Sequence, residues 1–256
     1  MIFSKRCTIL FISKEKIRWA PGQVPSGKIL GEVKEVAWSE ENLHVALKDI
    51  ASNLSKRVRI VIGEEFAYAA YLKKDEQGSD IRSAAQSRIP EKITDGWDTQ
   101  MKADGDIQAM AIQEGLFASL KKLFREMRLK AEVIETESVA LSRMLPAKKG
   151  EAVIFAKQDG KFLLGAARDS AVLATEVFSS PPSTEDFRKF TEYVSGRYGV
   201  AIGQMFVTNS ENCDREVFRS LGLIISETPL DPMEGICKKK DIRGRDADVL
   251  NIALGS

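Results

Sequence analysis

A short polar turn near the start of the chain holds the first residues whose types and spacing could support chemistry. Ser13, Lys14 and Lys16 occupy this turn, between an apolar run at residues 8–12 and a second run at residues 17–19. A strand–turn–strand opening of this kind starts many nucleotide-binding folds. There the turn usually carries an acidic residue and glycines, because backbone N–H groups must close on a phosphate. This turn has two lysines and no glycine, and that departure needs an explanation.

Two carboxylates form the next candidate. Glu135 and Glu137 are two residues apart, a spacing that would suit a carboxylate pair for acid–base chemistry. They lie at a predicted strand-to-helix junction without histidine or metal-ligand partners, so capping and surface roles are favoured. The chain has a single histidine, His44, which is expected at the surface of a helix. Ser-His-Asp and Cys-His catalytic arrangements are therefore excluded.

The three cysteines, Cys7, Cys213 and Cys237, are far apart and odd in number. They indicate free thiols in a reducing compartment rather than a disulfide framework. Neither they nor the histidine show metal-ligand spacing.

The composition favours a soluble cytoplasmic protein. The sequence has 256 residues, is 43% hydrophobic and 29% charged, and carries a net charge of +1 from 38 basic and 37 acidic side chains. That balance argues against a dedicated nucleic-acid binder. No apolar run approaches the roughly 20 residues that span a bilayer. A basic run at residues 238–245 suits acidic lipid headgroups or nucleic acid, although a solvated loop is the favoured interpretation.

The elements that must position these residues alternate between strands and helices. The first half has a helix at residues 40–54, and a small α/β unit at residues 58–112 with an edge strand at 97–102. It continues with an amphipathic helix at 114–128, a strand at 129–134 and a helix at 139–145. Phe66, Tyr68 and Tyr71 lie on a strand of the small unit; core packing and a groove wall for a partner's extended peptide are both open.

The second half opens with three short strands, at residues 151–156, 161–167 and 171–178. Asp159 and Gly160 are predicted as a hairpin turn. Thr184 is expected to cap a helix that ends near residue 198. Strands at 203–207 and 223–226, a short helix at 214–221 and a last helix at 247–254 follow. An α/β fold is therefore favoured.

Three stretches resemble the type IV pilus assembly PilM family and, more broadly, the actin-like ATPases that include the division protein FtsA. Residues 88–91 read RIPE after a short helix and precede Trp97-Asp98, which is similar to the family's "IP" pair and its "D-x-x-v" strand. Residues 117–129 are similar to the helix before the family's "GL" step. Residues 133–143, VIETESVALSR, resemble its "vid-x-e-x-x-Al-x-R" segment.

The resemblance implies an actin-like (ribonuclease H-like) fold of two lobes, at residues 1–147 and 148–256, with residues 58–112 as the inserted 1C subdomain. It also implies a cytoplasmic protein, peripheral at the inner membrane, that binds the short cytoplasmic tail of the bitopic protein PilN in a groove between subdomains 1A and 1C. Members bind ATP between the lobes. Self-association is open, and no nucleic-acid partner is implied.

The nucleotide motifs of the family are absent here. The first phosphate loop resembles "D-I-G-S-S-S-V-K" in the family, and residues 11–18 read FISKEKIR. The second phosphate loop of the family carries "D-x-G" on the strand that corresponds to residues 153–156. Here that strand reads VIFA, and Asp159 and Gly160 lie in the turn that follows it. The adenosine loop should carry paired glycines, which Thr208 and Asn209 replace.

A whole subdomain, 2B, is also missing, since a helix ends near residue 198 and the next strand begins by 203. We therefore predict a degenerate, PilM-like scaffold that binds a PilN-like tail without ATP turnover, with no metal and no cofactor. An active actin-like ATPase that uses ATP and Mg²⁺ through altered loops is the alternative. A GspL-like cytoplasmic domain of a type II secretion system is another, although that family continues into a membrane helix and this sequence ends at Ser256 without one.

Overall fold

The computed structural model describes residues 5–39, 41–90, 92, 96–101, 105–146, 151–169, 171–208, 218 and 221–239. The predicted boundary at 148–150, the loop at 209–213 and the helix at 247–254 lie outside this range, as do Cys213 and residues 240–245 of the basic run. Strands and helices are numbered along the chain. The strands are β1 (Lys5–Ile12), β2 (Lys16–Val24), β3 (Lys28–Ile29), β4 (Lys34–Ala37), β5 (Arg57–Ile62), β6 (Ala67–Leu72), β7 (Trp97–Met101), β8 (Ile107–Ile112), β9 (Lys130–Thr136), β10 (Glu151–Gln158), β11 (Lys161–Arg168), β12 (Ala171–Phe178), β13 (Gln204–Thr208) and β14 (Ile224–Glu227). The helices are α1 (Leu43–Ala51), α2 (Ile81–Gln86), α3 (Glu114–Glu126), α4 (Glu137–Ser142), α5 (Thr184–Tyr198) and α6 (Pro232–Cys237).

The first sheet has the order β3-β2-β1-β5-β9, with β4 paired to β2. Strands β1, β5 and β9 are parallel, and β2 runs antiparallel to β1. Alternate residues of β1 face opposite sides, as strand geometry requires. Leu10 and Ile12 pack with helices α1 and α3, while Ile9 and Phe11 pack with helix α6. Because both faces of the sheet are covered, its central strands are almost wholly apolar.

Helix α6 corrects the predicted extent of the second lobe, residues 148–256. Met233, Ile236 and Cys237 are completely buried against the first sheet, so the chain returns to the first lobe after leaving the second. Cys7 lies in the same cluster, and both cysteines are free thiols, as predicted. Burial raises the pKa of Cys237 to about 12.

A separate three-stranded sheet, β6-β8-β7, forms the insert of the first lobe. The insert was predicted to begin at residue 58, but β5, which contains that residue, pairs with β1 and β9 in the first sheet. The insert therefore starts after Ile62. Strand β7 lies at the edge of its sheet, which confirms the edge strand predicted from Trp97 onward.

The second lobe is built on a five-stranded sheet, β12-β11-β10-β13-β14, whose first three strands form the predicted meander. Helix α5 packs on it through Phe187, Phe190 and Val194. Its N-cap is Ser183, one residue before the predicted Thr184, and Gly199 ends it in the left-handed conformation that glycine tolerates best. Only residues 199–203 separate α5 from β13, so no 2B subdomain lies at this position.

Candidate functional site

The two turns that the sequence singled out meet between the lobes. The Ser13 hydroxyl, completely buried at the end of β1, donates to Asp159 Oδ2 at 2.5 Å. Asp159 and Gly160 have φ values of 47° and 75°, which confirms the predicted hairpin turn between β10 and β11. A Cβ at Gly160 would lie 3.4 Å from Glu15 Oε1. The two hairpins are therefore in direct contact.

Lys161 extends this contact into a buried ionic cluster. Its Nζ lies 2.8 Å from Glu137 Oε2 and also pairs with Glu65. Burial works against the ammonium charge, but the carboxylates of Glu137 and Glu65 outweigh it and raise the pKa of Lys161 above its usual range. We call Ser13, Glu65, Glu137, Asp159 and Lys161 the interlobe network, because every bond among them joins the first lobe to the second.

Three neighbours complete the interlobe network. Arg18 lies over the ring of Phe11, 4.6 Å from its centroid, with a guanidinium nitrogen 3.8 Å from Asp159. Oriented to satisfy both partners, the Gln158 amide donates to Glu137 Oε1 at 2.6 Å and accepts from Arg18 at 3.1 Å. The cations at this junction thus face protein carboxylates and an amide oxygen.

Glu64 is a further buried carboxylate at the junction. Its Oε1 accepts from the Ser138 backbone N–H at 2.8 Å, and its Oε2 lies 3.4 Å from Thr175 Oγ1 in the second lobe. Burial raises its pKa to about 6; the bonds from Ser138 oppose this shift and the nearby charge of Glu137 adds to it.

The other predicted loop residues have structural partners. The Lys14 backbone N–H donates to Glu65, and Lys16 Nζ pairs with Glu35 on β4 at 2.8 Å. Thr208 Oγ1 accepts from the Leu230 N–H at 3.2 Å, and so fixes the segment that leads to helix α6. Asn209 lies outside the described residues.

Glu135 and Glu137 are buried, so the surface role expected for them is wrong. Glu135 accepts two bonds of 2.8 Å from Arg143 and lies 2.9 Å from Lys239. Burial opposes its charge, but these two cations hold its pKa below the usual range. The two carboxylates have different cationic partners. The helix cap itself is Thr136, whose hydroxyl accepts from the Val139 N–H at 3.4 Å.

The aromatic residues of the insert do not share one surface. Phe66 is buried beside Trp38 in the core of the first lobe, with 5.5 Å between ring centroids. Tyr71 is buried against Tyr198 of helix α5, with centroids 5.9 Å apart, and its hydroxyl donates to Asp106 at 2.7 Å. Tyr68 is half-buried against a third cluster inside the insert. Core packing, the alternative left open by the sequence, describes Phe66 and Tyr71.

A small cavity of about 40 Å³ lies between the insert and the first lobe. It is lined by Asp98, Thr99, Gln100, Gln108, Met110, Ile134, Glu135, Val139 and Lys239. Gln108 is 4% exposed; its amide nitrogen lies 3.5 Å from the Val172 carbonyl, and its oxygen has no partner within the described part of the chain. Strand β7, which supplies three of the lining residues, has its outer side at the sheet edge. We call this the β7 groove.

Sequence reasoning found both hairpin turns and missed their contacts. Glu64, Glu65 and Lys161 escaped notice, although Gly63 ends a buried strand directly before two acids. Lys161 directly follows the Asp159-Gly160 turn. Charged residues directly beside the end of a buried strand or a hairpin turn are the signal that would have found them.

A nucleotide's phosphates do not fit the residues between the two hairpins. Ser13 and Asp159 bond directly between the hairpins, and Glu15, Glu65 and Glu137 add carboxylates there that already pair with or lie near protein groups. Within the described ranges no group of His, Cys, Asp or Glu is arranged to hold a metal ion. In the same residues, no helix has the length and apolar character to cross a membrane.

No protein-family model and no curated protein matches the sequence, whereas solved structures match most of it. A Bacteroides thetaiotaomicron protein of unknown function with an actin-like ATPase fold is 14% identical, with a TM-score of 0.58 over 92% of this chain and 96% of its own. The PilM–PilN type IV pilus biogenesis complex is 11% identical, with a TM-score of 0.60 over 90% of this chain and 89% of the other.

The cytoplasmic domain of EpsL, an inner-membrane component of the type II secretion system of Vibrio cholerae, is also similar. Its identity is 8%, with a TM-score of 0.56 over 91% of this chain and 93% of the domain. Sequence identities this low are evidence for a shared fold and not for a shared function. The chain has the actin-like ATPase fold, an α/β architecture of two lobes, as the sequence predicted.

Proposed function

We propose that this protein is a cytoplasmic component of a type IV pilus or related type II secretion machine, peripheral at the inner membrane. Its task is to bind the short cytoplasmic tail of a PilN-like inner-membrane protein. The support is that two similar structures, a PilM–PilN complex and the EpsL cytoplasmic domain, come from such machines and each align with at least 90% of this chain. The function is recognition rather than chemistry.

The β7 groove is the binding site that the geometry favours. An edge strand pairs readily with an extended peptide, because its outer N–H and C=O groups have no neighbouring strand in the sheet. The cavity beside β7 combines apolar walls, Met110 and Val139, with the buried Gln108 oxygen that lacks a donor. A backbone N–H of the peptide would satisfy that oxygen, and the cavity would accept a side chain. The single observation that carries the site is this unpaired acceptor beside an edge strand.

Calorimetry with a synthetic peptide tests the site. The peptide copies the cytoplasmic tail of a PilN-like inner-membrane protein, the partner that the proposal names. Thr99→Arg places a long charged side chain in the groove and is expected to weaken binding at least tenfold, as blocking a central contact does. Thr191→Arg is the matched control, because it makes the same change at a half-buried threonine on helix α5 in the second lobe. We expect this variant to bind the peptide with unchanged affinity. Equal affinity of both variants would contradict the assignment of the binding site to the β7 groove. Absence of binding by the unmodified chain would contradict the proposed function.

The protein is further proposed to work without ATP turnover. The support is the Ser13–Asp159 bond and the carboxylates of Glu65 and Glu137 beside it, which disfavour a polyphosphate there. Ligands that bind only the folded state raise its stability by mass action. We therefore expect Mg-ATP to leave the unfolding temperature unchanged, and a clear concentration-dependent rise would favour the active ATPase instead.

A further inference from the structure

Each of the three parallel strands in the first sheet has two cations at its amino end or within two residues before it. The pairs are Lys5 and Arg6 on β1, Lys56 and Arg57 at β5, and Arg128 and Lys130 at β9. Parallel strands bring equivalent ends to one edge. The register confirms this, because Arg57 is opposite Lys130 and the Lys130 N–H donates to the Lys56 carbonyl at 2.7 Å.

The row of cations continues past β1. Strand β2 runs antiparallel and ends at this same edge, where Val24 is opposite Lys5. Lys28 follows on β3, paired with Gln23. The side chain of Lys238 covers Gly27, close enough that a Cβ there would lie 2.7 Å from its Cγ. We call this surface the basic edge.

Positive charge dominates the basic edge. Six of its side chains are exposed: Arg6, Lys28, Lys56, Arg128, Lys130 and Lys238. Of the described acids near it, Glu132 pairs with Arg57 and Arg59, and Glu126 lies 3.5 Å from His44. The chain as a whole carries only +1, so the edge is a local excess created by segregation of charge.

We infer that the basic edge is a docking surface for the anionic phospholipid headgroups of a bilayer. Neighbouring strands lie about 4.8 Å apart, so the ends of β2, β1, β5 and β9 form a row about 15 Å wide. Such a row suits a flat charged surface. Single-stranded nucleic acid is usually bound through aromatic stacking platforms, and none of the described residues named for the basic edge is aromatic. The choice of a bilayer rests on the proposed function, which places the chain at the inner membrane.

The position of the basic edge leaves the rest of the molecule accessible. It lies where β1, β5 and β9 begin, whereas Ser13, Gly63 and Thr136 lie where these strands end. The β7 groove includes Ile134 and Glu135 from the far end of β9. The strand ends of the basic edge therefore lie away from Ile134 and Glu135 of the groove, and the two surfaces approach each other at the consecutive residues Lys238 and Lys239.

Vesicle sedimentation of the full chain tests the inference. We expect the protein to sediment with phosphatidylcholine vesicles that contain phosphatidylglycerol, and to stay in solution with pure phosphatidylcholine. Arg6→Gln, Lys56→Gln and Lys130→Gln together remove one exposed cation from each strand. Each Lys or Arg near an anionic surface strengthens partitioning about fivefold, so the triple variant is expected to bind on the order of 100-fold more weakly.

A second triple variant controls for net charge. Lys34→Gln, Lys74→Gln and Lys189→Gln remove three exposed lysines elsewhere, and we expect binding within about twofold of the unmodified chain, since exposed charges beyond a Debye length are screened. Equal losses in both triple variants, or no binding by the unmodified chain, would overturn the inference. Binding to duplex DNA in preference to the vesicles would overturn it too and assign the edge to nucleic acid. The vesicles contain no protein, so a failure here is separate from a failure of tail binding.

Discussion

Replacing Gly235 by alanine is the sharpest test of how helix α6 joins the first lobe. A Cβ at this position would lie 2.0 Å from the Ala140 carbonyl oxygen and 2.6 Å from its carbon. Both are backbone atoms of helix α4, so no side-chain rotation relieves the overlap. The two helices must separate by more than 1 Å to restore an ordinary contact, because non-bonded heavy atoms favour about 3.5 Å.

Separating the two helices disturbs buried side chains, whose lost contacts water cannot replace. Met233 and Ile236 of α6 are completely buried against the first sheet, and burial of two such side chains is worth about 3–6 kcal/mol. Arg59 is also completely buried, and donates to the Ile236 carbonyl at 3.1 Å and the Lys239 carbonyl at 2.7 Å. Moving the helix weakens these bonds to a buried guanidinium. We expect Gly235→Ala to lower the free energy of unfolding by about 3 kcal/mol or more.

Thermal and urea unfolding measure this loss. For a chain of this size, 3 kcal/mol corresponds to an unfolding temperature about 6–12 °C lower. Gly196→Ala is the matched control, because a Cβ at this exposed position in helix α5 has open space around it. Alanine favours the helical state over glycine by about 0.5–1 kcal/mol, so this variant should be slightly more stable. An unchanged midpoint for Gly235→Ala would refute the close contact between α6 and α4.

Three further changes probe the junction and the second lobe. Glu64→Gln should raise the free energy of unfolding by about 2 kcal/mol at pH 7. Burial raises the pKa of Glu64 from 4.5 to about 6, so the unmodified protein loses stability as the pH rises between those values. Urea unfolding of the variant at a series of pH values should lack that decline. Lys161→Met leaves the buried Glu137 and the half-buried Glu65 without this cation and should cost about 3–5 kcal/mol; adding Glu137→Gln should recover part of the loss, and a double variant no more stable than the single one would contradict the pairing. Ser183→Ala removes the hydroxyl that caps helix α5 and should cost about 1 kcal/mol by thermal unfolding, whereas an unchanged midpoint would show that the cap contributes little.

The order of elements followed from the sequence because local patterns dictate it. The apolar run of β5 and the helical spacing of α3 depend on neighbours a few residues away. The Asp159-Gly160 turn was found for the same reason, since left-handed backbone favours this dipeptide. The return of helix α6 to the first sheet was missed, because only contacts between distant parts of the chain reveal which sheet a short apolar helix covers.

The site was less predictable than the fold for a related reason. Phe66 and Tyr71 belong to different cores, and the pattern of aromatic residues does not distinguish a groove wall from a lobe interface. Glu135 and Glu137 were expected at the surface because burial of a charge is costly without a partner. Their partners, Arg143 and Lys161, lie on α4's C-terminal end and in the other lobe, and sequence spacing does not show the second of these.

The charges of the first sheet are separated along its strands, and this links the two ends of the lobe. Carboxylates gather where β1, β5 and β9 end, and the second lobe supplies Lys161 to meet Glu65 and Glu137. Cations gather where the same strands begin, and six of them are exposed. Folding therefore neutralises the acidic end internally and leaves the basic end as the charged surface available to a partner. Substitutions at Lys161 should accordingly change stability, whereas substitutions at Lys56 or Lys130 should change binding with the fold intact.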